Sequence, residues 1–192
     1  MLIFWRLVLA HLISDFTLQL NVVNRLKRSV WWGMAVHVGT HLALSLALVW
    51  PYLGDVWFKA GPLRLSGWEC LAAIMVLHWL QDYWRIFAIR KFNTADGTIH
   101  FLWDQFIHLG TLFVFSPLFG FQQSGSFVPE KWAALCAIFV LVTHFTTVLV
   151  YFIEKDFYKE EFPAIAEKGP QNRRPAWLRL RSGVYPGGVE RH

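Results

Sequence analysis

The sequence predicts an all-α polytopic membrane protein with five transmembrane helices, and three observations carry that prediction. Five mostly apolar stretches of about 20 residues, the length needed to cross a bilayer as helix, follow one another along the chain. Charge is scarce: 16% of the residues are charged and 55% hydrophobic, with mean hydropathy +0.37, whereas soluble domains carry about 25% charged residues. Basic residues gather in alternate connections, as the positive-inside rule requires of a multi-pass protein.

The first span is expected over residues 2–22. It has neither a basic leader nor a small-residue cleavage site, so it reads as a retained helix rather than a signal peptide. The second covers 33–52 and ends at Pro51, which opens a connection containing Gly54 and Gly61-Pro62. The third covers 67–89, the fourth 99–119 beyond Asn93–Gly97, and the fifth 131–153 beyond Gln122–Pro129. Residues 1–153 thus form a transmembrane helical domain. Residues 154–192 form a basic tail broken by Pro163, Pro170, Pro175 and Pro186.

Arg25, Lys27 and Arg28 separate spans one and two, Arg90 and Lys91 separate spans three and four, and seven more Lys or Arg from Lys155 to Arg181 follow span five. The other two connections hold only Lys59, Arg64 and Lys131. The N-terminus is therefore expected outside and the C-terminus in the cytoplasm, in the inner (plasma) membrane of a bacterium. Trp31, Trp32, Trp50, Trp57, Trp68, Trp103 and Trp132 fall near span ends, as an interfacial aromatic belt would. The net charge of +5 sits beside apolar spans, which suits anionic lipid as a partner and argues against nucleic acid. Cys70 and Cys136 are too few for a disulfide framework and read as small apolar residues, though one bridge is conceivable.

Ionisable residues inside spans are costly, about 2.5–3.5 kcal/mol for Asp at mid-membrane on insertion scales. This chain carries His11 and Asp15 in span one, His37 and His41 in span two, His78 and Asp82 in span three, and Asp104 and His108 in span four. Each pair is spaced i, i+4 and so shares one helix face. Although the spans alternate in direction, all eight fall between mid-membrane and a level about 5–10 Å toward the cytoplasm.

The set also repeats. His11-Leu-Ile-Ser-Asp15-Phe matches His78-Trp-Leu-Gln-Asp82-Tyr, and Val36-His37-Val-Gly39-Thr40 matches Ile107-His108-Leu-Gly110-Thr111. The offsets are 67 and 71 residues, so the chain reads as two helical hairpins in parallel repeat plus a fifth helix. Gly39 and Gly110 are expected to let helices approach closely, and His144 with Thr143, Thr146 and Thr147 to bond between helices.

Neutral imidazoles and carboxylates suit a divalent ion such as zinc, iron or manganese. His11, Asp15, His37, His78, Asp82 and His108 are the expected ligands, one ion or two, with Asp104 and His41, which break the repeat, left for catalysis. The plainer alternative is packing: His–Asp hydrogen bonds between helices, and an Asp82–Arg85 pair within one.

At these residues the chain resembles an uncharacterised bacterial family of small polytopic membrane proteins, the domain of unknown function 3307. Its H-x3-D-F-x-L-Q motif is matched by His11, Asp15, Phe16, Leu18 and Gln19, its D-Q-x2-H motif by Asp104, Gln105 and His108, and its middle motif by His78 and Asp82. The resemblance spans the first four helices, adds Gln19 and Gln105 to the polar candidates, and implies no reaction. Three functions are expected to compete: a metal-dependent hydrolase acting on a lipid-like or amphipathic substrate from the cytoplasmic side, a proton-coupled transporter, and a structural or cofactor-binding subunit with protein partners in a larger membrane complex.

Overall fold

The computed structural model describes residues 2–18, 27, 31–92, 94, 96–117 and 128–161. Most of them are helical, at the positions that apolar runs of this length favour. Helix α1 (Leu2–Leu12) continues as a π-helical turn, Ile13–Thr17, closed by Leu18 N–H donating to the Ile13 carbonyl at 2.8 Å. Helix α2 is Trp31–Val49, and a 3-10 turn, Trp50–Tyr52, carries Pro51. Helix α3 is Gly67–Lys91 and α4 is Thr98–Phe115. Helix α5 (Glu130–Val140), a second π-helical turn (Leu141–Phe145) and α6 (Thr146–Glu161) run on as one rod, extending the fifth apolar stretch beyond Ile153.

The all-α expectation needs one correction. Between α2 and α3 lies an antiparallel hairpin of β1 (Val56–Ala60) and β2 (Leu63–Ser66), whose turn uses Gly61 at φ +57°. Val56, Trp57 and Phe58 begin it with β-formers, and Gly61-Pro62, which marks a loop in the sequence, is its turn. Ser66 then caps α3: its hydroxyl accepts from Glu69 N–H at 3.5 Å, and the Glu69 carboxylate accepts from Ser66 N–H at 2.7 Å.

Helix α1 packs against α2, α4 and α5, while α3 packs against α2 and α4 and α4 against α6. The apolar core (Ile3, Leu7, Leu53, Trp57, Cys70, Leu71, Ile74, Ala133 and Ala137) sits at the hairpin end. Trp57 is therefore a core residue donating to the Tyr52 carbonyl at 2.8 Å, whereas Trp32, Trp50, Trp68, Trp103 and Trp132 are exposed. Cys70 is buried, Cys136 exposed, and both are free thiols.

Two helices, Trp32–Tyr52 and Glu130–Phe157, are long and apolar enough to cross a membrane. Large apolar side chains stand exposed on α3, α4 and the α5–α6 rod as well, Leu80, Trp84, Phe106 and Phe139 among them.

A Cβ on Gly39 or Gly110 would meet nothing within 4 Å, so neither glycine serves a close helix approach. Gly67 does: a Cβ there would lie 2.7 Å from the Leu53 Cα and 2.6 Å from the Trp57 ring. Thr143 and Thr147 bond to carbonyls of their own helix, at Phe139 and Thr143, rather than to a neighbour, and His144 is exposed beside Thr143. We expect Gly67→Ala to destabilise the fold by about 1–3 kcal/mol, since the obstructing atom is backbone. Gly39→Ala and Gly110→Ala should leave stability unchanged or slightly raised, by up to about 1 kcal/mol. Thermal unfolding of the three variants measures the contrast.

Candidate metal centre

Four helices bring their polar residues to one place, beyond the apolar core that sits at the β-hairpin end. His11, His37, His41, His78, Asp82, Asp104, Gln105 and His108 are buried, and Asp15 nearly so. Asp15 projects from the π-helical turn that follows His11. Such single-turn bulges occur often at functional sites, because widening one turn re-aims its side chains.

Two sets of ligand atoms are close enough to share a cation: Asp15, His37, His41 and His78 form one, and His78, Asp82 and His108 the other. In the first, the Asp15 Oδ1 lies 3.0 Å from His41 Nε2 and 3.3 Å from His37 Nε2, and His37 Nε2 lies 3.2 Å from His78 Nε2. Metal–ligand bonds of about 2.1 Å in a tetrahedron give ligand–ligand edges of about 3.4 Å. These three spacings are close to that edge, and all four ligand atoms lie within 4.8 Å of one another. In the second set, Asp82 Oδ2 is 3.5 Å from His78 Nε2, and it also stands 3.2 Å from His37 Nε2.

Hydrogen bonds around the cluster fix which imidazole nitrogens are available. His108 Nδ1–H donates to the Asp104 carbonyl at 2.7 Å, and its Nε2 is buried with no hydrogen-bond partner. A carbonyl can only accept, so Nε2 carries the lone pair of the neutral ring, beside the His78 ring at a centroid distance of 4.4 Å. The Gln105 amide N–H donates to Asp15 at 3.4 Å and to Asp104 at 3.3 Å, which leaves its carbonyl to accept from His11 Nε2–H at 3.3 Å. His11 belongs to neither ligand set. It stands beside them as a donor, 3.6 Å from Asp15.

The catalytic expectation for Asp104 and His41 meets different surroundings. His41 is in the first ligand set. The Asp104 carboxylate receives Arg85 NH1 at 2.8 Å, and the same guanidinium gives NH2 to Asp96 at 2.8 Å. Arg85 thus pairs with those two residues and not with Asp82, three residues before it. Asp82 pairs with Lys27, whose ammonium lies 2.6 Å from Oδ2 and 3.3 Å from His37 Nε2.

Sequence reasoning missed Lys27, because it stands in a basic run that reads as headgroup contact. Its one distinguishing sign is proximity to an apolar helix rich in histidine. Gln19, the remaining polar candidate, lies outside the described residues.

A small cavity adjoins the histidines, lined by His11, His41, His78 and His108 with Ser45, Gln81 and Thr111. Its apolar wall is Leu7, Ile74, Met75 and Leu112. Leu7, Ser45, Ile74, Met75 and Leu112 lie toward the hairpin from the histidines, and Gln81 lies beside Asp82.

The match to known families covers this whole centre. A family model, described as a protein of unknown function (DUF3307), matches residues 3–136, from α1 into α5. The chain belongs to that family. No curated protein and no solved structure matches the chain.

Arg85 bridges the carboxylates of Asp96 and Asp104, and removing it takes the guanidinium from both. We expect Arg85→Met to destabilise the protein by about 3 kcal/mol, and Arg85→Lys by less, because one ammonium cannot span both partners in a fork. Denaturant titration of the two variants checks the order.

Proposed function

We propose that this family member is a five-span protein of the bacterial inner membrane that binds a divalent metal ion in the Asp15–His37–His41–His78 set. We further propose that it uses the ion to hydrolyse a lipid-like or amphipathic substrate. The observation that carries the reading is the spacing of those four ligand atoms, all within 4.8 Å of one another, in a set of buried polar residues drawn from three helices. Burying Asp15 among neutral imidazoles is costly, and a divalent cation offsets that cost. Three imidazoles and a carboxylate suit zinc, iron or manganese.

The exposed apolar side chains on α2 to α6 support the membrane part, since a bilayer solvates them and water does not. Arg25, Arg28, Arg90 and Lys91 support the orientation with the N-terminus outside even when Lys27 is assigned to the cluster.

Such an ion supplies a water whose pKa falls to about 7. The protein's own residues do the rest. His108 Nε2, which makes no hydrogen bond, is the general base in place of Asp104 and His41. Asp104 positions it through its carbonyl and is itself held by Arg85. Gln105 orients Asp15 and donates to Asp104. Ser45, Gln81 and Thr111 line a void of about 10 Å³, room for about one water, with Leu7, Ile74 and Leu112 as its apolar wall.

A proton-coupled transporter is the second reading. The unbroken contacts from Lys27 through Asp82, His37 and Asp15 to His41 favour it, as a proton relay would run along them. The apolar wall of the cavity weighs against a path through the molecule.

The test is metal content of the full-length protein purified in detergent without chelators or affinity metals. Near-stoichiometric zinc, iron or manganese is expected. It should be lost in His78→Ala and Asp15→Ala and kept in His11→Ala, because His11 only donates to Gln105. A metal-free wild type, as stable as His78→Ala, would sink the metalloenzyme and leave the relay.

A further inference from the structure

Lys27 carries the inference. Its side chain is 11% exposed and its ammonium lies 2.6 Å from Asp82 Oδ2, a carboxylate 3% exposed. The same nitrogen is 3.3 Å from His37 Nε2. A lysine in a basic connection ordinarily sends its charge to water or headgroups. This one sends it into the polar cluster, onto the carboxylate of the second ligand set.

We propose that the Lys27 ammonium is a built-in second cation that occupies Asp82 and makes the centre mononuclear. The proposal rests on the metal reading above and adds to it which ligand set is filled. The two sets share His78 and are otherwise distinct. With the ion in the Asp15, His37, His41 and His78 set, Asp82 and His108 remain. Lys27 neutralises the first, and the second keeps its free lone pair for a substrate or water.

Charge balance points the same way. Asp15 and Asp82 with one ammonium and one divalent ion leave a single positive charge, which a bound hydroxide cancels. A second divalent ion beside Lys27 would leave three positive charges in a buried site, with Arg85 already committed to Asp96 and Asp104.

The substrate class narrows accordingly. With Lys27 paired to Asp82, the ion is the cationic point left for an anionic group, and the His108 imidazole stands beside the His78 ring. That suits an ester of phosphate or carboxylate in an amphipathic molecule better than a neutral one.

Zinc titration of full-length, metal-free protein in detergent, read by elemental analysis after gel filtration, tests the count. Wild type is expected to take one zinc that depends on His78. Lys27→Met and Lys27→Gln should each take a second, and adding Asp82→Asn should remove that second ion while leaving the first. Zinc on His100, His144 or His192 would survive Asp82→Asn and is thereby told apart. Lys27→Arg, which keeps a cation in place, should stay at one.

If Lys27→Met and Lys27→Gln elute as folded, monodisperse protein with one zinc, or with none, Lys27 is not a cation holding a second ion's place and the proposal falls alone. Two His78-dependent ions in wild type would overturn it equally. No zinc in any variant would overturn it together with the metal reading.

Discussion

Two carboxylates buried among histidines are the constraint on which the rest of this structure depends. Asp15 and Asp82 sit on different helices, and each makes its contacts across helix boundaries, Asp15 to His37 and His41 on α2 and Asp82 to His37 and Lys27. Buried polar contacts of this kind are directional and costly to leave unmade, so they do much to select how helices pair. A cluster drawing on four helices therefore specifies the register of the bundle, while the apolar core at the hairpin end fills space. The second ionic cluster, Arg85 with Asp96 and Asp104, ties α3 to α4 next to it. Below it, Asp156 of α6 accepts the Thr98 N–H at the start of α4 at 2.6 Å.

Much of this was legible in the sequence, for reasons that can be named. The spacing i, i+4 aims two side chains at one neighbour whatever the tertiary fold, so the His–Asp pairs could be assigned to single faces before any helix was placed. Their common depth followed from counting residues from span ends. The glycines show where the same reasoning stopped short. Gly39 and Gly110 lie two residues beyond His37 and His108, about 200° around the helix, which turns them away from the cluster and out of contact. That geometry was available from the sequence, but the recurrence of a small residue in both halves suggested packing instead.

Other features were not legible. A π-helical turn differs from an α-helical one by a single residue in a hydrogen-bond ring, and no composition marks Ile13–Thr17 or Leu141–Phe145. The hairpin of β1 and β2 is only nine residues of strand around Gly61-Pro62, and its pattern is that of a loop. Lys27 belongs to a run of positive charge, and charge runs ordinarily face solvent. Only the length of its side chain lets it reach 2.6 Å from a carboxylate on another helix. The roles within the site were equally hidden: that His41 would be a ligand, His11 a donor and Asp104 a partner of Arg85 depends on rotamers and not on spacing.

The two-hairpin repeat sharpens what the centre can do. At the repeat offset of 71, His41 corresponds to Leu112, and Asp104 and Gln105 correspond to Gly33 and Met34. One half thus supplies an additional imidazole where the other supplies an apolar residue, and the second half supplies a carboxylate and an amide where the first has none. A repeat that kept both halves alike would present two equivalent ion positions across its axis. Here the ligands His37, His41 and Asp15 come from the first hairpin, and the second contributes His78 to them. The second hairpin's own carboxylates are neutralised by protein cations, Asp82 by Lys27 and Asp104 by Arg85. On the proposed metal reading, this asymmetric neutralisation leaves one position for an ion and the His108 Nε2 without a hydrogen-bond partner. That is the minimum for chemistry in which a bound water is both activated and deprotonated.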